Sequence, residues 1–332
     1  MKDFDQLGRI EAIRTLYEGS GFEPFAGGGF APGAAGRVAS ASRMLLEGID
    51  FDLTYFPLQH LGYKSVAGVA GELYASLTSP RTLQVILGIS SRFGFEQVRE
   101  LWSGVVAAAR EFGFGTVGLE LQPSLNGLSI SVSGVAEGDS EAFAAPASKD
   151  LICVSGALGA AFLGLRVLEK GKGKFAGGEE DREELEKYRM LVGSYLKPEV
   201  PVGLPAALKD SGIKPSAACF VDRGLADALL RIVRSTGLGA KVYADRIPFE
   251  GGSFELGKSL DLDPVSAAMS GGDDYRVLLC VPLSAYESFR KDFQTFDIIG
   301  HLARAEVGAV LVSPDGLEHP VSAPGWPRSD NP

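Results

Sequence analysis

The sequence predicts an α+β protein of two domains, and three observations support this prediction. The chain has 332 residues, more than one hydrophobic core usually supports. Apolar residues make up 45% of the chain and charged residues 22%, which is typical of globular proteins. Strand and helix patterns alternate without the long parallel series of a doubly wound fold. We place the domain boundary between residues 1–145 and residues 146–332.

The first domain opens with a short helix and a breaker. Apolar residues at three-residue spacing predict an amphipathic helix over residues 2–19. The Gly- and Pro-rich stretch 21–36 predicts an irregular loop. Alternation from Ile49 onward predicts a strand with one wet face, and the small residues of 61–77 predict a tightly packed helix. A strand, a helix and a strand are then predicted over 82–90, 95–113 and 127–135.

The second domain repeats a strand, a turn and a helix. "DLICVSGALGAAFLGLRVLEKG" and "AACFVDRGLADALLRIVRSTG" both have this order, and such turns often bind anions. "SGGDDYRVLLCVP" places a turn and two carboxylates before a buried strand. The chain is expected to close with a hairpin whose turn is "PDG".

The charge and the termini restrict the possible partners. A net charge of -10 argues against nucleic acid, which needs clustered Lys and Arg, but permits a small phosphorylated ligand. Cys153, Cys219 and Cys280 lie in apolar runs, so we expect buried, reduced thiols. The N-terminus lacks the apolar region of a signal peptide, and no stretch approaches 18 apolar residues. We therefore expect a cytoplasmic protein without a membrane partner.

Several segments occur together in a family-specific order. They are "LLEGIDFDLTYFPLQHLGYKSVA", "DLICVSGALGAAFLGL", "GLADALLRIVRSTGLGAKVYADRIP", "SGGDDYRVLLCVP" and "IIGHL". In this order and spacing they resemble the thiamine-monophosphate kinase family, within the aminoimidazole-ribonucleotide-synthetase-like superfamily, over nearly the whole chain. The fourth segment corresponds to the family's GGEDYELLF.

The resemblance implies a fold, an assembly and a reaction. The N-terminal mixed α/β domains would form a shared β-barrel in a homodimer, and the C-terminal domain would be an α/β sandwich-like unit. The activity would be transfer of the γ-phosphoryl group of ATP to thiamine monophosphate, giving thiamine diphosphate. Mg²⁺ held by carboxylates is central to such chemistry.

The chain departs from the family where the family places aspartates. The resemblance aligns GIGDDAAV with "GGGFAPGA", so Phe30 and Ala31 replace two aspartates. Arg43 replaces another in "ASRMLLEG". In "FVDRGL", Phe220 and Arg223 replace the two aspartates of DISDGL. A fixed cation in place of a ligand repels Mg²⁺ by about 4 kcal/mol or more at 4 Å.

Two glutamates are the remaining candidate metal ligands. Glu72 and Glu120 stand where the resemblance places aspartates, although the octahedral geometry of Mg²⁺ tolerates the longer side chain poorly. Arg43, Arg223 and Glu120 are the candidate nucleotide or phosphate contacts, because a guanidinium fork matches phosphate oxygens. We expect both arginines to point into the cleft.

Three residues are candidate substrate contacts, each with an alternative. Asp273 and Asp274 match a family segment near the substrate, yet Asp beside a Gly turn is commonly a turn former. Trp326 resembles a C-terminal aromatic that stacks on thiamine, yet a Trp that covers the core has the same pattern. The sequence assigns no catalytic residue.

Three functions therefore remain open. In the first hypothesis the chain is a catalytically impaired or inactive homologue that keeps the scaffold and binds a nucleotide or phosphate ligand. Such a homologue would not require ATP and Mg²⁺ as cofactors. Alternatively it is an active kinase with ATP and Mg²⁺ in a site rebuilt from Glu72, Glu120, Asp50 and Asp222. In the third hypothesis it is a regulatory protein that binds a partner through its dimer surface.

Overall fold

The computed structural model describes residues 29–33, 36–171 and 179–323 of the chain. The predicted helix over residues 2–19 and Trp326 lie outside these residues. The described part contains two β-sheets with helices packed on them. This architecture confirms the predicted α+β class.

The first sheet has five strands and a long packing face. Its order is β1-β2-β5-β3-β4, and every neighbouring pair is antiparallel except β3 and β4, which are parallel. In β5, Ile130 and Val132 are buried, while Ser131 and Ser133 face the other side, as expected of a sheet with one covered face. The strands are β1 (Gly29–Gly33), β2 (Gly36–Leu46), β3 (Thr78–Ile89), β4 (Thr116–Pro123) and β5 (Ser129–Gly138).

The second sheet has seven strands in the order β12-β11-β8-β10-β6-β9-β7. Only β11 and β8 pair in parallel. The predicted C-terminal hairpin is confirmed by the antiparallel pairing of β11 with β12. The strands are β6 (Leu151–Val154), β7 (Ala217–Val221), β8 (Gly239–Tyr243), β9 (Arg276–Val281), β10 (Asp297–Ala303), β11 (Ala309–Val312) and β12 (Glu318–Pro320).

The helices pack against both sheets, and the first of them connects the two halves of the molecule. The α-helices of the described residues are α1 (Leu58–Ala75), α2 (Phe95–Glu111), α3 (Ala160–Gly171), α4 (Glu179–Lys187), α5 (Arg189–Leu196), α6 (Leu204–Ser211), α7 (Leu225–Thr236), α8 (Ser253–Leu260), α9 (Pro264–Ser270) and α10 (Tyr286–Asp292). The predicted helix over 61–77 corresponds to α1, and the one over 95–113 corresponds to α2.

Helix α1 packs against elements of both sheets. It contacts β2, β3, β5 and α2 on one side and β7, β9 and α5 on the other. Fourteen of its 18 residues are buried, which explains its small side chains, since close neighbours on every side leave little volume. The functional cleft expected between the halves must therefore be built around this helix.

Three local predictions differ from the structure. Residues 29–33, within the stretch 21–36 expected to be irregular, form strand β1. The strand predicted from Ile49 onward is wrong, because β2 ends at Leu46 and Gly48 turns the chain at φ +82°. Its alternation of apolar and polar residues comes from turns with one side on the core. Strand β4 was not predicted, because most of its residues are exposed.

Three further sequence predictions concern the domain boundary, the state of the cysteines and the absence of a membrane-spanning helix. The first sheet ends at Gly138 and the second begins at Leu151, while the exact boundary at 145 and 146 stays a prediction. All three cysteines are buried and unpaired, as predicted. Among the helices of the described residues, none has the length and apolar character needed to span a bilayer.

The contact between α1 and α2 rests on glycine, so Gly104→Ala is expected to destabilise the fold. A Cβ at Gly104 would overlap the backbone carbonyl of Gln59, which cannot move without distorting α1. We expect the free energy of unfolding to fall by about 1–3 kcal/mol, measured by urea denaturation. Gly193→Ala is the matched control, since Gly193 lies in α5 with open space around its Cα. It should be neutral or stabilising by up to about 1 kcal/mol; equal losses would contradict the prediction.

Candidate functional site

The candidate site lies where α1 passes the ends of β7 and β9. Two glycines of α1 provide the space for it: a Cβ on Gly68 would overlap the Arg43 guanidinium, and one on Gly71 would overlap the ring of Phe220. Arg43 reaches this point from β2 of the first sheet. Residues of both sheets thus meet across the smallest side chains of the helix.

Arg43 is engaged by the protein itself. Its Nη2 donates to Asp222 Oδ2 over 2.7 Å, and its Nη1 donates to the hydroxyl of Tyr275. Burial lowers the pKa of Arg43, but its neighbours, Tyr275 and Asp222 foremost, outweigh burial and leave the pKa above its usual value. The guanidinium is therefore a fixed positive charge with its donors directed at protein acceptors.

Arg231 gathers three carboxylates from the other side. Its Nη2 donates to Asp222 Oδ1 over 3.1 Å and to the carbonyl of Phe220, and its Nε lies 3.0 Å from Asp227 Oδ2. Its Nη1 lies 3.5 Å from Glu72 Oε1. Asp222 is thus held between two guanidinium groups, one from each half of the molecule.

Burial opposes the ionisation of Glu72. Burial raises its pKa, and Asp222 adds to the shift, while Arg231 and Arg43 oppose it; the net pKa is about 7. The shift favours the protonated form of this side chain. A protonated carboxyl is a poor ligand for a divalent cation.

Lys64 forms the second ion pair between α1 and the second domain. Its Nζ lies 3.0 Å from Asp273 Oδ2 and 3.6 Å from the centre of the Tyr195 ring, with Phe56 at 5.4 Å. Only 1% of the residue is exposed, and burial lowers its pKa although Asp273 opposes the shift. The aromatic faces and the carboxylate together replace the water that this ammonium lacks.

The two adjacent aspartates perform different tasks. The turn is tight: Asp273 has φ +62° and Tyr275 has φ +54°, and the N–H of Asp273 donates to the carbonyl of Asp222 over 2.7 Å. Asp274 is buried and accepts the N–H groups of Gly159 and Ala161, at 2.8 and 3.2 Å. Its carboxylate therefore occupies the N-terminus of α3, the helix whose preceding turn suggested an anion site.

The predicted residues do not all come together. Asp273, Asp222, Glu72 and Arg43 meet in the cluster described above. Arg223 lies beside it with Nε 3.7 Å from Asp222 Oδ2, and its side chain is 54% exposed.

Three further residues from the sequence predictions lie elsewhere. Glu120 is exposed on β4, where it accepts a hydrogen bond from Gln122. The carboxylate of Asp50 accepts a hydrogen bond from the N–H of Leu46. Burial raises the pKa of Asp50, and the nearby Asp273 raises it further. Trp326 is outside the described residues.

Sequence reasoning missed Lys64, Arg231 and Tyr275. Each lies in a segment whose secondary structure was predicted, but none of the three was singled out as a site residue. One signal was available: Lys64 interrupts the small and apolar face of "LGYKSVAGVAGELYASL", where a buried charge must find a partner.

Comparison with known proteins supports the resemblance seen in the sequence. The thiamine-monophosphate kinase of Methanopyrus kandleri is 25% identical over 240 residues, which are 69% of this chain and 69% of that protein. The thiamine-monophosphate kinase of Aquifex aeolicus is 21% identical over 328 residues, or 96% of this chain and 99% of that protein. No protein-family model matches the chain.

Solved structures share the fold. AaThiL complexed with AMPPCP and TMP superposes with a TM-score of 0.81 at 19% identity over 98% of each chain. The hydrogenase maturation protein HypE of E. coli has a TM-score of 0.65 at 18% identity over 89% of each chain. The chain thus has the fold of these solved structures. In sequence it is a homologue of the thiamine-monophosphate kinases.

The buried cap of α3 generates a pH prediction. Burial raises the pKa of Asp274 to about 7, although the N–H groups of Gly159 and Ala161 oppose the shift. Folding therefore takes up a proton between about pH 4, where an unfolded Asp titrates, and pH 7. The resulting stabilisation is complete below the unfolded pKa and is lost as the pH rises through 7.

The expected result is that the wild-type free energy of unfolding falls between pH 5 and pH 8 relative to that of Asp274→Asn. The amide of the variant does not titrate, and the other groups are common to both proteins. Urea denaturation at several pH values measures the difference. Parallel curves for the two proteins would contradict the prediction.

Proposed function

We propose that this chain is a thiamine-monophosphate kinase homologue that keeps the two-domain scaffold and does not transfer phosphoryl groups at an enzymic rate. The observation that carries the proposal is the carboxylate of Asp222 held between Arg43 and Arg231. In that place a kinase needs carboxylates free to hold Mg²⁺ against a triphosphate. The cluster instead balances its own charges.

The side chains present do not fit a magnesium site. Glu72 is buried against Arg231, whereas Glu120 lies exposed on the edge strand β4. The two candidate ligands therefore lie in different surroundings. Across residues 29–33, 36–171 and 179–323, no three His, Cys, Asp or Glu side chains are grouped so as to hold a metal ion. The donor set argues against Mg²⁺, and we assign no step to it.

The rebuilt-site alternative requires four carboxylates to act together. Asp222 and Glu72 would have to break their contacts with Arg231, and Asp50 would have to break its hydrogen bond with the N–H of Leu46. Removing one partner of a buried ion pair costs about 3–5 kcal/mol, which ion binding would have to offset. The internal contacts therefore favour the impaired or inactive homologue.

The assembly proposed for this chain is a cytoplasmic homodimer joined through the outer face of the first sheet. Met44, Ile86 and Val135 lie on that face with 59%, 41% and 41% exposure. Met44 on β2 and Ile86 on β3 both pair with Ser131 of β5, and Val135 lies four residues further along β5 on the same face. A patch of this kind on an open sheet is typical of a protein interface.

Kinase turnover of the purified protein with ATP, Mg²⁺ and thiamine monophosphate is expected to be below detection. The physical reason is that the carboxylates needed for the metal are already paired with arginines. Formation of thiamine diphosphate measured by chromatography tests this, with an active thiamine-monophosphate kinase as the positive control. Turnover at about 1 per second or faster would refute the proposed function in favour of the rebuilt site.

The dimer prediction has its own test. Light scattering at micromolar concentration should give the mass of a dimer, and Ile86→Glu should give a monomer, because a charge would be buried in the joined faces. Ile49→Glu is the matched control: Ile49 is 77% exposed and lies off the sheet, so the dimer should persist. A monomeric wild type would refute the assembly.

A further inference from the structure

Three arginines converge on one carboxylate at the centre of the candidate site. Arg43 Nη2 lies 2.7 Å from Asp222 Oδ2, Arg231 Nη2 lies 3.1 Å from Asp222 Oδ1, and Arg223 Nε lies 3.7 Å from Asp222 Oδ2. Several guanidinium groups around one anion are the arrangement by which proteins bind phosphate and sulfate.

The arrangement is rigid on two sides and open on the third. The side chains of Arg43 and Arg231 are 14% and 9% exposed, whereas that of Arg223 is 54% exposed. Arg43 is fixed further by Tyr275, and Arg231 by Asp227 and the carbonyl of Phe220. Each buried guanidinium group therefore retains another partner if the carboxylate between them is removed.

We propose that Asp222 is a resident anion in an oxyanion site formed by Arg43, Arg231 and Arg223, and that its carboxylate keeps inorganic phosphate and phosphate esters out of that site. The proposal deepens the proposed function, on which it rests, by naming the ligand class that the site excludes. An external phosphate must displace a carboxylate attached to the same chain.

The other acidic groups nearby do not fill the same role. Asp227 and Glu72 contact Arg231 alone among the three arginines. Asp273 pairs with Lys64. Among the acidic residues that the structure describes, Asp222 alone lies between these guanidinium groups of the two halves, so its removal is the one that leaves a vacancy lined by all three.

The test is the dependence of thermal stability on phosphate, without ATP or Mg²⁺. Melting temperatures are measured at pH 8 in sodium phosphate and in sodium chloride of equal ionic strength. Phosphate stabilises folded proteins generally because it is excluded from their surface, so the wild type gives the baseline difference between the two buffers. For Asp222→Ser, which removes the carboxylate and leaves room for an oxyanion, the rise in phosphate should exceed that baseline by about 3 °C or more. Calorimetric titration with inorganic phosphate should show at least about tenfold tighter binding than to the wild type, equivalent to 1.4 kcal/mol.

Asp227→Ser is the matched control. It removes the same group from the same Arg231, but at a position that only one of the three arginines contacts, so phosphate should give no extra stability. If Asp222→Ser folds in neither buffer, Asp222→Asn takes its place; the amide still fills part of the site, so the rise in phosphate should be smaller but present.

The proposal is overturned if no Asp222 variant is stabilised by phosphate, or if Asp227→Ser gains as much as Asp222→Ser. Its failure is distinct from failure of the proposed function. Kinase turnover by the wild type would refute the latter, whereas the phosphate response of Asp222→Ser is measured without any reaction.

Discussion

The carboxylate of Asp222, shared between Arg43 and Arg231, is the interaction on which the rest of the site depends. It joins a strand of the first sheet to a helix of the second domain, at 2.7 and 3.1 Å. The backbone carbonyl of Asp222 also accepts a hydrogen bond from the N–H of Asp273. This bond fixes the turn that carries Asp274 and Tyr275. Loss of one partner from such a buried group costs about 3–5 kcal/mol, so the geometry on both sides of α1 is tied to it.

Small residues on α1 make this interaction possible. Gly68 leaves space for Arg43, and Gly71 leaves space for Phe220, whose ring lies 5.3 Å from that of Tyr275. The resemblance aligns Phe220 with an aspartate, so an apolar ring now lies where a charge is expected. The replacement of this aspartate by Phe220 is consistent with the neighbouring ion pairs. The cluster has fewer carboxylates, and the remaining carboxylates are neutralised by cationic side chains of the same chain.

Periodicity predicted most of the fold, but not the site. Runs of apolar residues predict buried helices such as α1 and buried strands such as β9. Glycines and aspartates predict turns such as the one at residues 271–275. The alternation after Ile49 failed because turns packed on a core can copy the pattern of a strand. The ion pairs could not be found locally, since Arg43 and Asp222 are 179 residues apart and Lys64 and Asp273 are 209 apart. Substitution of aspartates by arginines pointed to the region, whereas the choice of partners depends on how the two sheets meet.

A site that binds metal must keep several carboxylates close together and unpaired until the ion arrives, and their mutual repulsion is a cost that the ligand later offsets. Here guanidinium and ammonium groups lie at contact distance from the carboxylates and offset that repulsion within the chain. Under the proposed function, an external anion or cation would have to compete with these tethered groups. Close packing of the two halves and exclusion of external ligands would then follow from one charge arrangement.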